Sequence, residues 1–118
     1  MNITPTLKDG ILTLILNGRF DTFGAGPVQQ VLDAHFNEHP KAIIMDLANV
    51  DFISSAGIRV FLIAAKEVEG RQGVLALVGL NPYCREIITS THIAGILSQF
   101  DTMDQAEAFC RGKTPPAA

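Results

Sequence analysis

The chain has 118 residues, 47% of them apolar and 18% charged, with a formal net charge of −3. That length suits one domain, which at this size buries roughly two-thirds of its unfolded surface and needs neither metal nor disulfide to hold a core. The basic residues are scattered singly, so there is no stripe to neutralise a nucleic-acid backbone or grip an anionic membrane, and protein partners remain as the expected ligands.

In chain order, Asn2 to Lys8 alternates weakly and Asp9-Gly10 is a two-residue turn signal. Ile11 to Leu16 is a nearly continuous apolar run, so the two segments predict an opening hairpin with a buried second strand. Gly24, Gly26 and Pro27 then break the pattern. Pro27 suits the first turn of a helix, and Val28, Val31, Leu32 and His35 recur at helical spacing through Asn37. His39-Pro40 stops that helix, and Ala42 to Leu47 reads as a central strand. After Val50 to Ile53 come Ser54-Ser55-Ala56-Gly57 and a helix ending near Gly70. Val74 to Val78 is another buried strand, and Asn81-Pro82 caps and opens a helix through about Thr89. Thr102 with Gln105 has capping-box spacing for a last helix ending near Cys110. The order β-β-α-β-α-β-α-(β)-α predicts an α/β fold, a mixed, mostly parallel β-sheet of roughly four to five strands with about four helices packed on it. One domain is expected over residues 1–112, and 113–118, with two prolines, as a disordered tail.

Catalytic chemistry is hard to find. A nucleophilic triad needs a histidine and a carboxylate converging on a serine or cysteine. His35 lies on an apolar helix stripe, His39 flanks its end, and His92 sits among small residues. Gly24-x-Gly26 lacks the third glycine of a phosphate loop and reads as a loop leading into the helix. Histidines and cysteines are too dispersed for zinc, and Cys84 and Cys110 read as reduced, semi-buried thiols. Asp21, Asp46 and Asp51 could gather at the carboxyl ends of strands, but such residues more often cap loops. No enzyme activity, metal or cofactor is expected. Met1 is followed by no basic and then apolar leader, and the longest apolar run, Val60 to Ala65, is far too short to span a bilayer. A cytoplasmic location without membrane insertion is therefore expected.

Ser54-Ser55-Ala56-Gly57 stands out. Ser55 is placed as N-cap or in the first helical turn, where a hydroxyl satisfies an orphan N–H for ~1 kcal/mol. The same position suits a phosphoryl group, which would meet free N–H donors and the positive end of the helix dipole. In the helix that follows, Ile58, Phe61, Leu62 and Ala65 fall on one face. Val60, Ile63 and Ala64 fall on roughly the opposite one, with Arg59 and Lys66 between. A second apolar face is either covered within the domain or offered to another protein, and the sequence leaves both open.

Three stretches carry a resemblance: Leu16-Asn17-Gly18-Arg19-Phe20-Asp21, Ile43-Ile44-Met45-Asp46-Leu47, and Val50-Asp51-Phe52-Ile53-Ser54-Ser55-Ala56-Gly57-Ile58. Over Ile11 to about Cys110 the chain resembles a STAS domain, in particular the single-domain anti-sigma-factor antagonists. The resemblance implies a protein that binds an anti-sigma factor serine kinase and so frees a sigma factor. The kinase would then phosphorylate it at the helix start, and a serine phosphatase would reverse this. Phosphorylation falls on Ser55, with Ser54 as the alternative acceptor. The acidic residue after the second strand falls on Asp21. The expected partner-binding set is Asp21, Thr22, Ser54, Ala56, Gly57, Arg59, Val60 and Ile63, on a monomer or weak homodimer. The family's commonest pattern is Asp-Ser-Ser/Thr-Gly, and here Ser54 replaces the Asp and Ala56 the second hydroxyl. That removes a like charge beside the phosphate. Two other readings stand beside this one, the first of them favoured by the missing Asp. One is a STAS subunit of a lipid-transport ABC complex or signalling scaffold without phosphorylation. The other is a small nucleotide-binding or hydrolytic protein using Asp21, Asp46 and Ser55.

Overall fold

The chain doubles back at Asp9-Gly10. In the computed structural model, which describes residues 1–90 and 97–113, both turn residues have positive φ, 55° and 80°. That backbone matches the twist of a two-residue hairpin, so β1 (Asn2–Lys8) and β2 (Ile11–Phe20) pair with Lys8 opposite Ile11. The sheet continues with β3 (Ala42–Ile53), β4 (Val74–Val78) and β5 (Ser98–Phe100) in the order β1-β2-β3-β4-β5. Only β1 is antiparallel, and β2 to β5 run parallel. This is the predicted mixed sheet.

The helices are α1 (Thr22–Phe36), α2 (Ser55–Glu69), α3 (Pro82–Ser90) and α4 (Met103–Lys113). With consecutive parallel strands laid down in one direction, right-handed crossovers put α1, α2 and α3 on the same face. The larger core lies there: Leu12, Leu14 and Leu16 of β2, Ile43 and Met45 of β3, and Leu75 and Leu77 of β4 meet Val28, Leu32, Phe61, Val68, Cys84 and Ile88. The alternate residues Ala42, Ile44, Ala76 and Val78 point to the other face and are covered by Ala106 and Cys110 of α4. The α4 capping box forms as expected: Gln105 N–H donates to Thr102 Oγ1 at 3.2 Å, and Thr102 N–H to Gln105 Oε1 at 3.4 Å.

Three boundaries differ from expectation. The strand predicted to end at Leu47 runs to Ile53, because Asn49 to Ile53 pair with Asn17 to Phe20 of β2 across a register irregularity between Gly18 and Arg19. Exposed Ala48 and Asn49 had hidden that continuity. The first helix begins at Thr22, so Gly24 and Gly26 lie inside it instead of before it, and Pro27 lies beyond its first turn instead of within it. Asp21 caps it strongly enough to carry two weak helix formers and a proline. Finally, α4 continues past Cys110 to Lys113. Residues 114–118 of the expected tail and His92 lie outside the described residues.

Candidate functional site

Parallel pairing brings the ends of β2 and β3 side by side, Phe20 opposite Ile53, and each strand leads straight into a helix. The heads of α1 and α2 therefore stand together at the carboxyl edge of the sheet, the usual location for function in an open α/β fold. Asp21 Oδ1 accepts from the N–H groups of Phe23 and Gly24, both at 3.0 Å. Arg19 Nε lies 3.6 Å from Asp21 Oδ2. The Gly24 N–H above all, with Phe23 and Arg19 behind it, outweighs partial desolvation and holds this carboxyl below its ordinary value of 3.8.

Ser54 and Ser55 have different surroundings. Ser54 is the N-cap of α2, but its side chain makes no capping bond. Its N–H and its Oγ instead donate to the Phe20 carbonyl at 2.9 and 3.4 Å, tying the end of β3 to the end of β2. Ser55 is the first residue of α2 and is exposed, and its hydroxyl has no hydrogen-bond partner among the described residues. It therefore lies in the first turn and does no capping.

Gly57 explains how α2 comes so close. A Cβ there would stand 2.7 Å from the Phe20 carbonyl oxygen and 3.0 Å from its ring, so any larger residue would push the helix off. Phe20 lies beneath, edge-to-face with Phe61 at 5.1 Å. Between the helix heads opens a groove of about 660 Å³. Ala25, Gly26 and Gln29 of α1 form one wall, and Ser55, Ala56, Arg59, Val60 and Ile63 of α2 the other. Gln29 Nε2 donates to Asp33 at 2.8 Å, while its Oε1 is buried without a donor among the described residues.

The structure brings the anticipated residues together at this edge, with one correction. Asp21, Thr22, Ser54, Ser55, Ala56, Gly57, Arg59 and Ile63 all stand at the helix heads or along the groove. The second face of α2, which the sequence left either covered or open, is mostly covered, so Val60 is not an open docking residue: Val60 is only 5% exposed and Ala64 is fully buried, and α1 packs alongside. Of that face Ile63 alone stays open, at 39%. Val60 is a core residue that shows the groove only an edge.

Sequence reasoning missed an aromatic shelf at the ends of β2 and β3. The Arg19 guanidinium sits 4.4 Å above the Phe52 ring, and Phe52 stacks on Tyr83 at 6.4 Å. Phe23, in the first turn of α1, is 89% exposed. Only an apolar residue where a surface helix should be polar hints at Phe23, and no periodicity links Phe52 to Tyr83, which meet through the fold.

The three aspartates do not converge. Asp46 shares the α4 side of β3 with Ala42 and Ile44, and its Oδ1 accepts from Ala48 N–H at 3.1 Å within the strand. Asp51 lies near Cys84, whose thiol is pushed up by burial and by that charge. Cys84 and Cys110 are both buried and form no disulfide. Among the described residues no cluster of His, Cys, Asp or Glu could hold a metal ion, and no helix is long and apolar enough to cross a membrane.

A sheet opened by an antiparallel hairpin, three helices on one face, and a serine exposed where β3 passes into α2 together define a STAS-type α/β domain. The family model described as the STAS domain matches residues 2–106, and the chain belongs to that family. Among named relatives, BtrV of Bordetella bronchiseptica, a candidate anti-sigma factor antagonist, is 35% identical over 92% of this chain and 90% of its own. The anti-sigma-F factor antagonist RsfB of Mycobacterium tuberculosis is 26% identical over 94% of this chain and 92% of its own. Among solved structures, the anti-sigma factor antagonist SpoIIAA of Bacillus has the same fold. Its unphosphorylated form has a TM-score of 0.82 at 17% identity, covering 94% of this chain and 97% of that one. Its phosphorylated form has 0.72 at 15% identity, covering 92% and 98%.

Proposed function

We propose that this protein is an anti-sigma factor antagonist. It docks an anti-sigma factor serine kinase at the heads of α1 and α2, releasing a sigma factor, and loses that grip when Ser55 is phosphorylated. The observation that carries this reading is the exposed Ser55 hydroxyl, without a hydrogen-bond partner among the described residues, at the wall of a partly apolar groove. Relatives named as anti-sigma factor antagonists, spanning nearly the whole chain, support the partner class. The existence of SpoIIAA in phosphorylated and unphosphorylated forms supports the switch.

The chemistry is simple. The kinase transfers the terminal phosphoryl of ATP to Ser55 Oγ, the hydroxyl proton is lost, and ADP departs; a serine phosphatase returns the hydroxyl by hydrolysis. Ser55 suits the acceptor role better than Ser54, whose hydroxyl is turned onto the Phe20 carbonyl. A standard interface takes about 800 Å² from each partner, a modest share of the 6363 Å² this protein exposes. The groove with Ile63, and the exposed Phe23 at the head of α1, are the centre of the proposed footprint. A dianion set in its middle costs several kcal/mol through repulsion and desolvation. Incubation with the cognate kinase and ATP, followed by mass-spectrometric mapping, tests the reading. Phosphate on Ser55 and none on the Ser55→Ala variant is expected. An unmodified Ser55 in a complex that still turns over ATP would sink the switch. Recovery of a transporter ATPase as the native partner would favour the lipid-transport reading.

A further inference from the structure

Four described arginines face a carboxylate at 2.9 to 4.0 Å: Arg19 with Asp21, Arg71 with Glu67, Arg85 with Asp101 and Arg111 with Glu107. Arg59 does not. Its neighbours one turn away on α2 are Ser55, Ala56, Leu62 and Ile63, none of them acidic. The α1 wall opposite is Ala25, Gly26 and Gln29, also uncharged. An uncompensated guanidinium thus lines the same groove as Ser55, four residues on along one helix. On a helix, residues at that spacing are surface neighbours, and the favourable order puts the anion on the N-terminal side of the cation.

We propose that Arg59 is the internal counter-ion of phosphorylated Ser55, closing an ion pair within α2 along the wall of the groove. This rests on the reading that Ser55 is the phosphoacceptor and adds how the modified state is built. A guanidinium presents its donors as a planar fork that matches phosphate oxygens in pairs, which an ammonium cannot do. Modification then acts twice on the docking surface: it adds negative charge, and it turns the groove's free cation inward, away from any partner carboxylate. The phosphorylated helix keeps its fold because the new charge is answered locally. An aspartate or glutamate at position 55 carries a single charge on a planar group, so it reproduces this state only in part.

The test uses full-length protein with phosphoserine installed at position 55 during translation, so no kinase is needed. Phosphorus NMR titration then reads the second ionisation of the phosphate, ordinarily near 6. In the otherwise native protein it should lie about half a unit below its value in Arg59→Gln, with Arg59→Lys between. Lys66→Gln removes the same charge farther down α2 and should leave it in place. Circular dichroism and thermal melting of the unphosphorylated proteins check that the variants fold, as expected for an exposed side chain. Coincident titrations of native and Arg59→Gln protein would overturn the proposal. An equal shift from Lys66→Gln would overturn it too, since net charge alone would then account for the effect. Failure of the kinase to modify Ser55 would count against the proposed function and leave this measurement unaffected.

Discussion

Gly57 fixes how near α2 stands to the end of β2, and through that where the Ser55 hydroxyl emerges. Gly57→Ala would place a methyl 2.7 Å from the Phe20 carbonyl oxygen, so a loss of about 1–3 kcal/mol is expected by urea unfolding. Partner binding should weaken with it, because the displaced turn carries Ser55. Asp21 supplies the matching prediction on α1. Its folded pKa is depressed, so the stability it contributes is fully present above the ordinary aspartate value. That contribution is lost as pH falls through the lower, folded value. The stability gap between native protein and Asp21→Asn should therefore be constant from neutral pH down to about 4 and shrink below it. Acid titrations of both proteins by circular dichroism measure it. A gap that widened with acid would contradict the capping role.

Elements show where local pattern is sufficient and where it is not. Asp9-Gly10, the Ile11–Leu16 run and the Thr102/Gln105 box were legible because each is completed by residues adjacent in sequence. The start of α1 was hidden, since Gly24, Gly26 and Pro27 signal a break while a single aspartate outweighs them through two hydrogen bonds. Val60 was misplaced because its cover comes from α1, about thirty residues away, and a helical wheel cannot show it. The candidate site, with Asp21 and Ser55 at adjacent helix heads, came from the resemblance. Gln29, Phe23 and the Phe52–Tyr83 stack were not, since only tertiary pairing assembles them. Two variants separate core from surface on α2. Val60→Ala should cost about 2 kcal/mol of stability, whereas Ile63→Asp should leave the melting temperature nearly unchanged and weaken partner binding. Equal melting losses would mean that Ile63 is not the open member of that face. Within α1, Pro27 withholds an N–H from the carbonyl of Phe23. Pro27→Ala should raise stability by about 1–3 kcal/mol in the same unfolding assay.

The whole molecule divides its labour between the two faces of one sheet. Three helices on the first face aim two strand ends at a common edge, while α4 seals part of the other and buries Cys110. Burial, with Glu107 nearby, pushes that thiol up to about 11; Cys84 is raised by burial and Asp51. Neither thiol should react with a disulfide reagent in the native protein at pH 8, and both should react after unfolding in urea. Rapid native labelling would mean that α4 opens readily. The buried core beneath the helix heads makes modification at the front a local event, one that changes surface charge without a new fold. The most direct measurement of that claim is calorimetric titration of the partner kinase with protein carrying serine, and then phosphoserine, at position 55. At least a 100-fold loss of affinity, about 2.7 kcal/mol, is predicted. Equal affinities would contradict the switch at its centre.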